Sequence, residues 1–213
     1  MASFEACLID AYGTIMRVDF AAHRNVLPAM AGVPAETMYA AFGRLAPGLG
    51  TGRISMTEAY AQILREGGVE PRPDLVRALV DKGRELLLVS TRLFEDVLPV
   101  LRRLRSRGIK TAIVSNCDEN TRPLLVELGV AALADVLVLS FEVGAEKPAA
   151  QIYRQALDQL GVTAGAALFV DDNAAYCAGA EALGITAVRI VRGELDGYGP
   201  AVVRSLAEVE AML

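Results

Sequence analysis

Tryptophan is absent from this 213-residue chain, histidine occurs once and cysteine three times. Each scarcity removes a class of function. A Ser-His-Asp or Cys-His catalytic arrangement would have to use His23, whose setting F-A-A-H-R-N reads as an ordinary helix. Cys7, Cys117 and Cys177 are odd in number and far apart, with no C-x-x-C pair and no companion histidines, so they read as reduced packing residues. Blocks of like charge are missing too, and the net charge is a mild -5, which argues against nucleic acid as a partner and leaves small anionic substrates open. No uninterrupted apolar stretch reaches bilayer length, and M-A-S-F-E-A-C-L-I-D has no basic region followed by an apolar segment and a cleavage site. A cytoplasmic protein without a membrane partner is expected, either monomer or homodimer.

What is present is a chain 53% hydrophobic, enough to bury a core of its own. Apolar runs of strand length fall at 4–9, 110–114, 136–139, 166–170 and 187–191. Amphipathic stretches lie between them at 94–107, 121–128, 149–160 and 174–183, each followed by a glycine able to stop a helix: Gly108, Gly129, Gly161 and Gly184. Strand alternating with helix predicts an α/β fold, a doubly wound parallel sheet covered on both faces. The interval 16–89 breaks the rhythm: it shows no convincing strand but four helical patterns, at 19–30, 34–45, 55–65 and 74–88. Ser55-Met56-Thr57-Glu58 is a capping box, and A-P-G-L-G-T-G-R at 46–53 reads as a mobile loop. The expected organisation is a core of 1–15 and 90–213 with a small all-helical cap at 16–89, able to close over the strand ends.

In such sheets ligands bind beyond the carboxyl ends of the strands. Four polar clusters stand there: Asp10-Ala11-Tyr12-Gly13-Thr14, Ser115-Asn116, Lys147-Pro148 and Asp171-Asp172-Asn173. A carboxylate at a strand end can act as a nucleophile, a hydroxyl and an amide can hold substrate oxygens, and a lysine can offset crowded negative charge. Two more carboxylates suit a hard divalent cation such as magnesium. Gly13 allows a sharp turn beside the site. Asn116 and Thr14 serve equally well as turn and capping residues.

With D-A-Y-G-T, V-S-N, the E-K-P-x-x-x-I-Y segment and F-V-D-D followed by Gly179-Ala180, the chain resembles the haloacid dehalogenase-like hydrolase superfamily over nearly its whole length. The resemblance implies a Rossmann-like core, with the helical interval in the position of the family's cap. It implies that Asp10 attacks the substrate to form a covalent aspartyl intermediate. Ser115 and Asn116 then bind and position substrate, and Lys147 steadies the nucleophile. Asp171 and Asp172 hold Mg2+ with Asp10 and the carbonyl of Tyr12. Tyr12, Gly13, Thr14 and Arg53 complete the expected substrate contacts. Phosphatases of the superfamily usually carry a second aspartate where this chain has Tyr12, and D-x-Y-G-T is similar to the metal-independent 2-haloacid dehalogenases. Those enzymes, however, have small polar residues in place of Asp171 and Asp172 and a tryptophan-bearing, arginine-centred cap segment. The residues therefore favour a magnesium-dependent phosphatase acting on a small anionic substrate. A 2-haloacid dehalogenase and a low-turnover binding or regulatory protein are the alternatives.

Overall fold

The computed structural model describes residues 4–193 and 202–213. Strand β1 (Ala6–Ile9) ends at Asp10, and the chain then forms β2 (Met16–Val18) before leaving the sheet. Four helices follow, α1 (Ala21–Ala31), α2 (Ala35–Gly50), α3 (Met56–Glu66) and α4 (Pro73–Ser90), and the chain returns through β3 (Thr91–Leu93). The rest alternates: α5 (Val97–Ser106), β4 (Lys110–Ser115), α6 (Thr121–Glu127), β5 (Val136–Leu139), α7 (Ser140–Val143), α8 (Ala150–Leu160), β6 (Ala167–Asp171), α9 (Ala174–Glu181), β7 (Thr186–Ile190), β8 (Val202–Val203) and α10 (Leu206–Glu210).

The main sheet has the order β5-β4-β1-β6-β7-β8 with every pairing parallel. The expected α/β fold is thus observed, with strands buried on both faces. Side-chain alternation along β1 sorts Cys7 and Ile9 into one apolar layer, with α5, α6 and α10, and Ala6 and Leu8 into the other, with α8 and α9. All three cysteines are buried and free, and burial pushes each thiol up to about 12, which suits packing.

The helices α1 to α4 share a separate apolar cluster built on Leu27, Met38, Tyr60, Ile63 and Leu79. The capping box at the start of α3 is present: Ser55 Oγ accepts from the Glu58 amide, and Glu58 accepts from the Ser55 amide at 2.7 Å. Two expectations for this interval need correction. Met16–Val18 is a strand, paired antiparallel with Thr91–Leu93, so the helical unit is entered and left through a two-stranded ribbon. The stretch 46–53 is mostly helix, since α2 continues through Pro47 and Gly48 to Gly50. Gly52, at φ +67°, serves close approach, since a side chain there would collide with the Phe141 carbonyl, whereas Gly48 and Gly50 face the movable side chains of Ile54 and Glu146.

Candidate active site

The sheet has its topological switch at β1, which lies between β4 and β6. Ile9 is level with both Ile113 and Val170, so Asp10 emerges level with Val114, one residue short of Ser115, on one flank and with Asp171 on the other. The Asp10 amide donates to the Val170 carbonyl at 2.9 Å, fixing the residue at the strand end. Register thus brings together carboxylates 161 positions apart in sequence, Asp10 and Asp171.

Lys147 lies between them. Its ammonium donates to Asp10 Oδ1 at 2.5 Å and Asp171 Oδ2 at 2.6 Å, with the side chain fully buried. The Phe169 and Tyr176 rings have their centroids 5.5 Å and 5.1 Å from the same nitrogen. Burial alone would depress the lysine, but the two carboxylates outweigh it and hold Lys147 charged. Burial is also the largest influence on Asp10 and Asp171; it raises both carboxyls, and the Lys147 ammonium only partly opposes it. Asp172 is raised as well, by partial burial and then by the Asp10 charge. Three carboxylates against one ammonium leave an excess of negative charge.

Around this cluster Asp10 Oδ2, Ser115 Oγ and Thr14 Oγ1 are buried without a hydrogen-bond partner. Unpaired buried polar atoms are costly, so their gathering at one strand end marks a place prepared for something polar. Asn116 uses both ends of its amide on the Lys147 backbone, donating to its carbonyl at 2.9 Å and accepting from its amide at 2.7 Å, so it holds the lysine in place. Asp171 Oδ1 accepts from the Asn173 amide at 2.8 Å, and Asn173 in turn caps α9. Gly179 lets α9 approach the lysine segment: a Cβ there would strike Pro148 and the Tyr153 hydroxyl.

Gly13 has φ +82°, and a side chain on it would occupy the position of the Asp172 carboxylate. Tyr12 is directed by a hydrogen bond of 2.9 Å between its hydroxyl and Thr121 Oγ1. Burial is the largest influence on that phenol and moves its pKa upward, so it stays protonated at neutral pH and offers no phenolate to act as a base. The pocket above Asp10 is about 440 Å³, and Asp10, Tyr12, Asn116 and Asp172 form part of its wall. Arg53 is not among its lining residues; its guanidinium contacts the Pro47 carbonyl at 3.3 Å within the helical unit.

Arg189 does line the pocket and was missed by sequence reasoning, as were Phe169 and Tyr176 around the lysine. The available signal for Arg189 was a cation late in the last apolar run, one residue before the end of β7. Its Nε donates to the Asp172 carbonyl at 3.0 Å, tying the two strand ends together.

One oxygen from each of Asp10, Asp171 and Asp172 lies within 4.8 Å of the others. Hard oxygen donors, excess negative charge and the unpartnered Asp10 Oδ2 suit a hard divalent cation.

Residues 4–184 match the family of haloacid dehalogenase-like hydrolases. A glyceraldehyde 3-phosphate phosphatase of Methanopyrus kandleri is 33% identical over 140 residues, which span 65% of this chain and 60% of that protein. An (S)-2-haloacid dehalogenase 4A of Burkholderia cepacia is 30% identical over 209 residues, 89% of this chain and 84% of that one. In fold, the chain superposes on the crystal structure of a HAD phosphatase from Thermococcus onnurineus with a TM-score of 0.72 at 24% identity, covering 98% of this chain and 97% of the other.

Proposed function

The chain belongs to the haloacid dehalogenase-like hydrolases, and within that family we propose that it is a magnesium-dependent phosphatase acting on a small phosphorylated compound. The carboxylate trio beside one buried ammonium carries this reading. A metal-independent dehalogenase would have to hold the negative charges of Asp171 and Asp172 next to its nucleophile, where they raise its pKa and oppose its ionisation.

Asp10, Asp172 and Asp171 would hold the cation with the Tyr12 carbonyl, and when bound it offsets the charge that nucleophile and phosphoryl group bring together. The chain's own groups do the rest. Asp10 attacks phosphorus, forming an O–P bond as the ester P–O bond breaks, and water then hydrolyses the aspartyl phosphate. Lys147 keeps the Asp10 carboxylate ionised and oriented. The unpartnered Ser115 hydroxyl donates to a phosphoryl oxygen, and Asn116 acts through Lys147. The helices α1 to α4 act as the cap over these strand ends.

Tyr12 favours the second reading, dehalogenation, whose halide leaving group needs no proton. Under the phosphatase reading the same residue restricts substrates to esters or anhydrides that depart without a general acid, such as acyl phosphates. Phosphate release from p-nitrophenyl phosphate and acetyl phosphate, with and without magnesium, is to be set against halide release from 2-chloropropionate. Magnesium-dependent phosphate release supports the phosphatase; metal-independent halide release overturns it.

A further inference from the structure

A second pocket, of about 190 Å³, lies between the helical unit and the segment that follows β4. It shares no lining residue with the pocket above Asp10, so its role stands apart from the phosphatase reading. Its walls are aromatic: Phe42 meets Tyr60 edge-on at 5.4 Å, Phe20 meets His23 at 5.3 Å, and Tyr39 lies 6.3 Å from Phe42. Phe20, 47% exposed, stands on the solvent side. An engineered apolar cavity of about 150 Å³ takes up benzene, so this volume admits a six-membered ring with a small substituent.

The polar groups of this lining are acceptors in want of donors. Asn120 is 6% exposed and its Oδ1 has no partner; His23 is 8% exposed and its Nδ1 has none. Burial favours the neutral imidazole, which keeps one ring nitrogen as an acceptor. The Tyr39 hydroxyl is unpartnered as well. Asp118 accepts from the Asn120 amide at 2.8 Å, and the lining offers it no lysine or arginine. Burial raises that carboxyl above its usual range, as expected of a carboxylate without a cation. Buried acceptors beside an unpaired carboxylate are costly until a positively charged donor reaches them, and aromatic faces attract the same charge. An anion would meet Asp118 as a like charge, and a hydrocarbon would leave every acceptor unsatisfied.

We propose that this pocket is a binding site, separate from the catalytic centre, for a small primary arylalkyl amine in its protonated form. Its ammonium is held by Asp118 and Asn120 Oδ1, and its ring lies among the aromatic walls. A primary ammonium brings one positive charge and three N–H donors, which is what these acceptors lack. The walls come from both the helical unit and the 118–120 segment, so an occupant bridges the two and stabilises their contact by mass action.

The test uses the full chain with three probes of one shape, benzylammonium, benzyl alcohol and benzoate. Binding is read by calorimetry and by the imidazole NMR signals of His23, the one histidine in the chain. Benzylammonium is expected to shift those signals and to bind at least about tenfold more tightly than benzyl alcohol, with no binding of benzoate. Asp118→Asn keeps the shape of the wall; it should weaken benzylammonium about tenfold or more and leave benzyl alcohol within about threefold. Leu27→Phe, which fills the pocket, should weaken both, and if it fails to fold, the three probes on the parent and Asp118→Asn still decide. Benzyl alcohol bound as tightly as benzylammonium, an ammonium affinity unchanged in Asp118→Asn, or no binding up to about 10 mM overturns the inference. So does benzylammonium that magnesium displaces and that leaves the His23 signals unmoved, because that outcome puts the amine on the Asp10 cluster instead.

Discussion

Replacing Lys147 with methionine retains most of the buried side-chain volume and removes the ammonium that faces both Asp10 and Asp171. At 2.5 and 2.6 Å and an effective dielectric of about 20, each attraction is on the order of 6 kcal/mol before desolvation is subtracted. Desolvating three charged groups cancels much of this in the parent. The variant keeps the two buried carboxylates and loses their partner, a change that costs about 3–5 kcal/mol. For a chain of this size that corresponds to a fall in Tm of about 6–20 °C. The deficit depends on pH with a definite sign. Without Lys147, burial and mutual repulsion raise both folded carboxyl pKa values further above the unfolded value of about 3.9. The folded variant then binds more protons than its unfolded chain above that value, so acidification stabilises it relative to the parent. Urea unfolding followed by circular dichroism, with EDTA present, at about pH 7.5 and about pH 5 reads both effects. A loss under about 1 kcal/mol at the higher pH, or a loss that grows at the lower one, would refute the reasoning.

Three further outcomes follow from the same geometry. Tyr12→Asp introduces the missing acid-base group, and under the phosphatase reading magnesium-dependent turnover of alkyl phosphates should rise by about 10²-fold or more; a release assay showing no gain argues against that reading. Gly13→Ala meets both a positive φ and the Asp172 carboxylate, so thermal unfolding should show a loss of at least about 1–2 kcal/mol. His23 is held below its ordinary pKa by burial, so its NMR titration should fall below about 6.5. Its neutral form is favoured in the fold, and a stability penalty should therefore appear as pH drops through that value and be absent in His23→Phe; a midpoint at or above it refutes this.

The core strands were legible in the sequence because parallel strands buried on both faces are short apolar runs, and 136–139 is a strand of four residues as its V-L-V-L pattern indicates. The β2–β3 ribbon was not legible. Each strand has three residues, and Met16 finds its partner at Leu93, across the whole helical unit. The stretch 46–53 misled for a different reason. Proline and glycine ordinarily mark turns, but here α2 runs through Pro47 and Gly48 to Gly50, and Gly52 is required by a positive φ and by the Phe141 carbonyl pressed against it, a neighbour that cannot be read from local composition.

The sequence by itself determined the chemical inventory: a carboxylate ending the first strand, a serine, a lysine and a pair of aspartates at later strand ends, and a helical interval between the first two. Those features follow from periodicity and residue type, which are local. Only the tertiary structure decided how the inventory is connected. Parallel register sets Asp10 beside Asp171, Lys147 reaches both at once, and Asn116 serves that lysine. Tyr12, which leaves the choice of reaction open in the sequence, is turned toward Thr121 at the start of α6. Such relations depend on distances between strand ends far apart in the chain, and those distances are fixed only when the sheet closes.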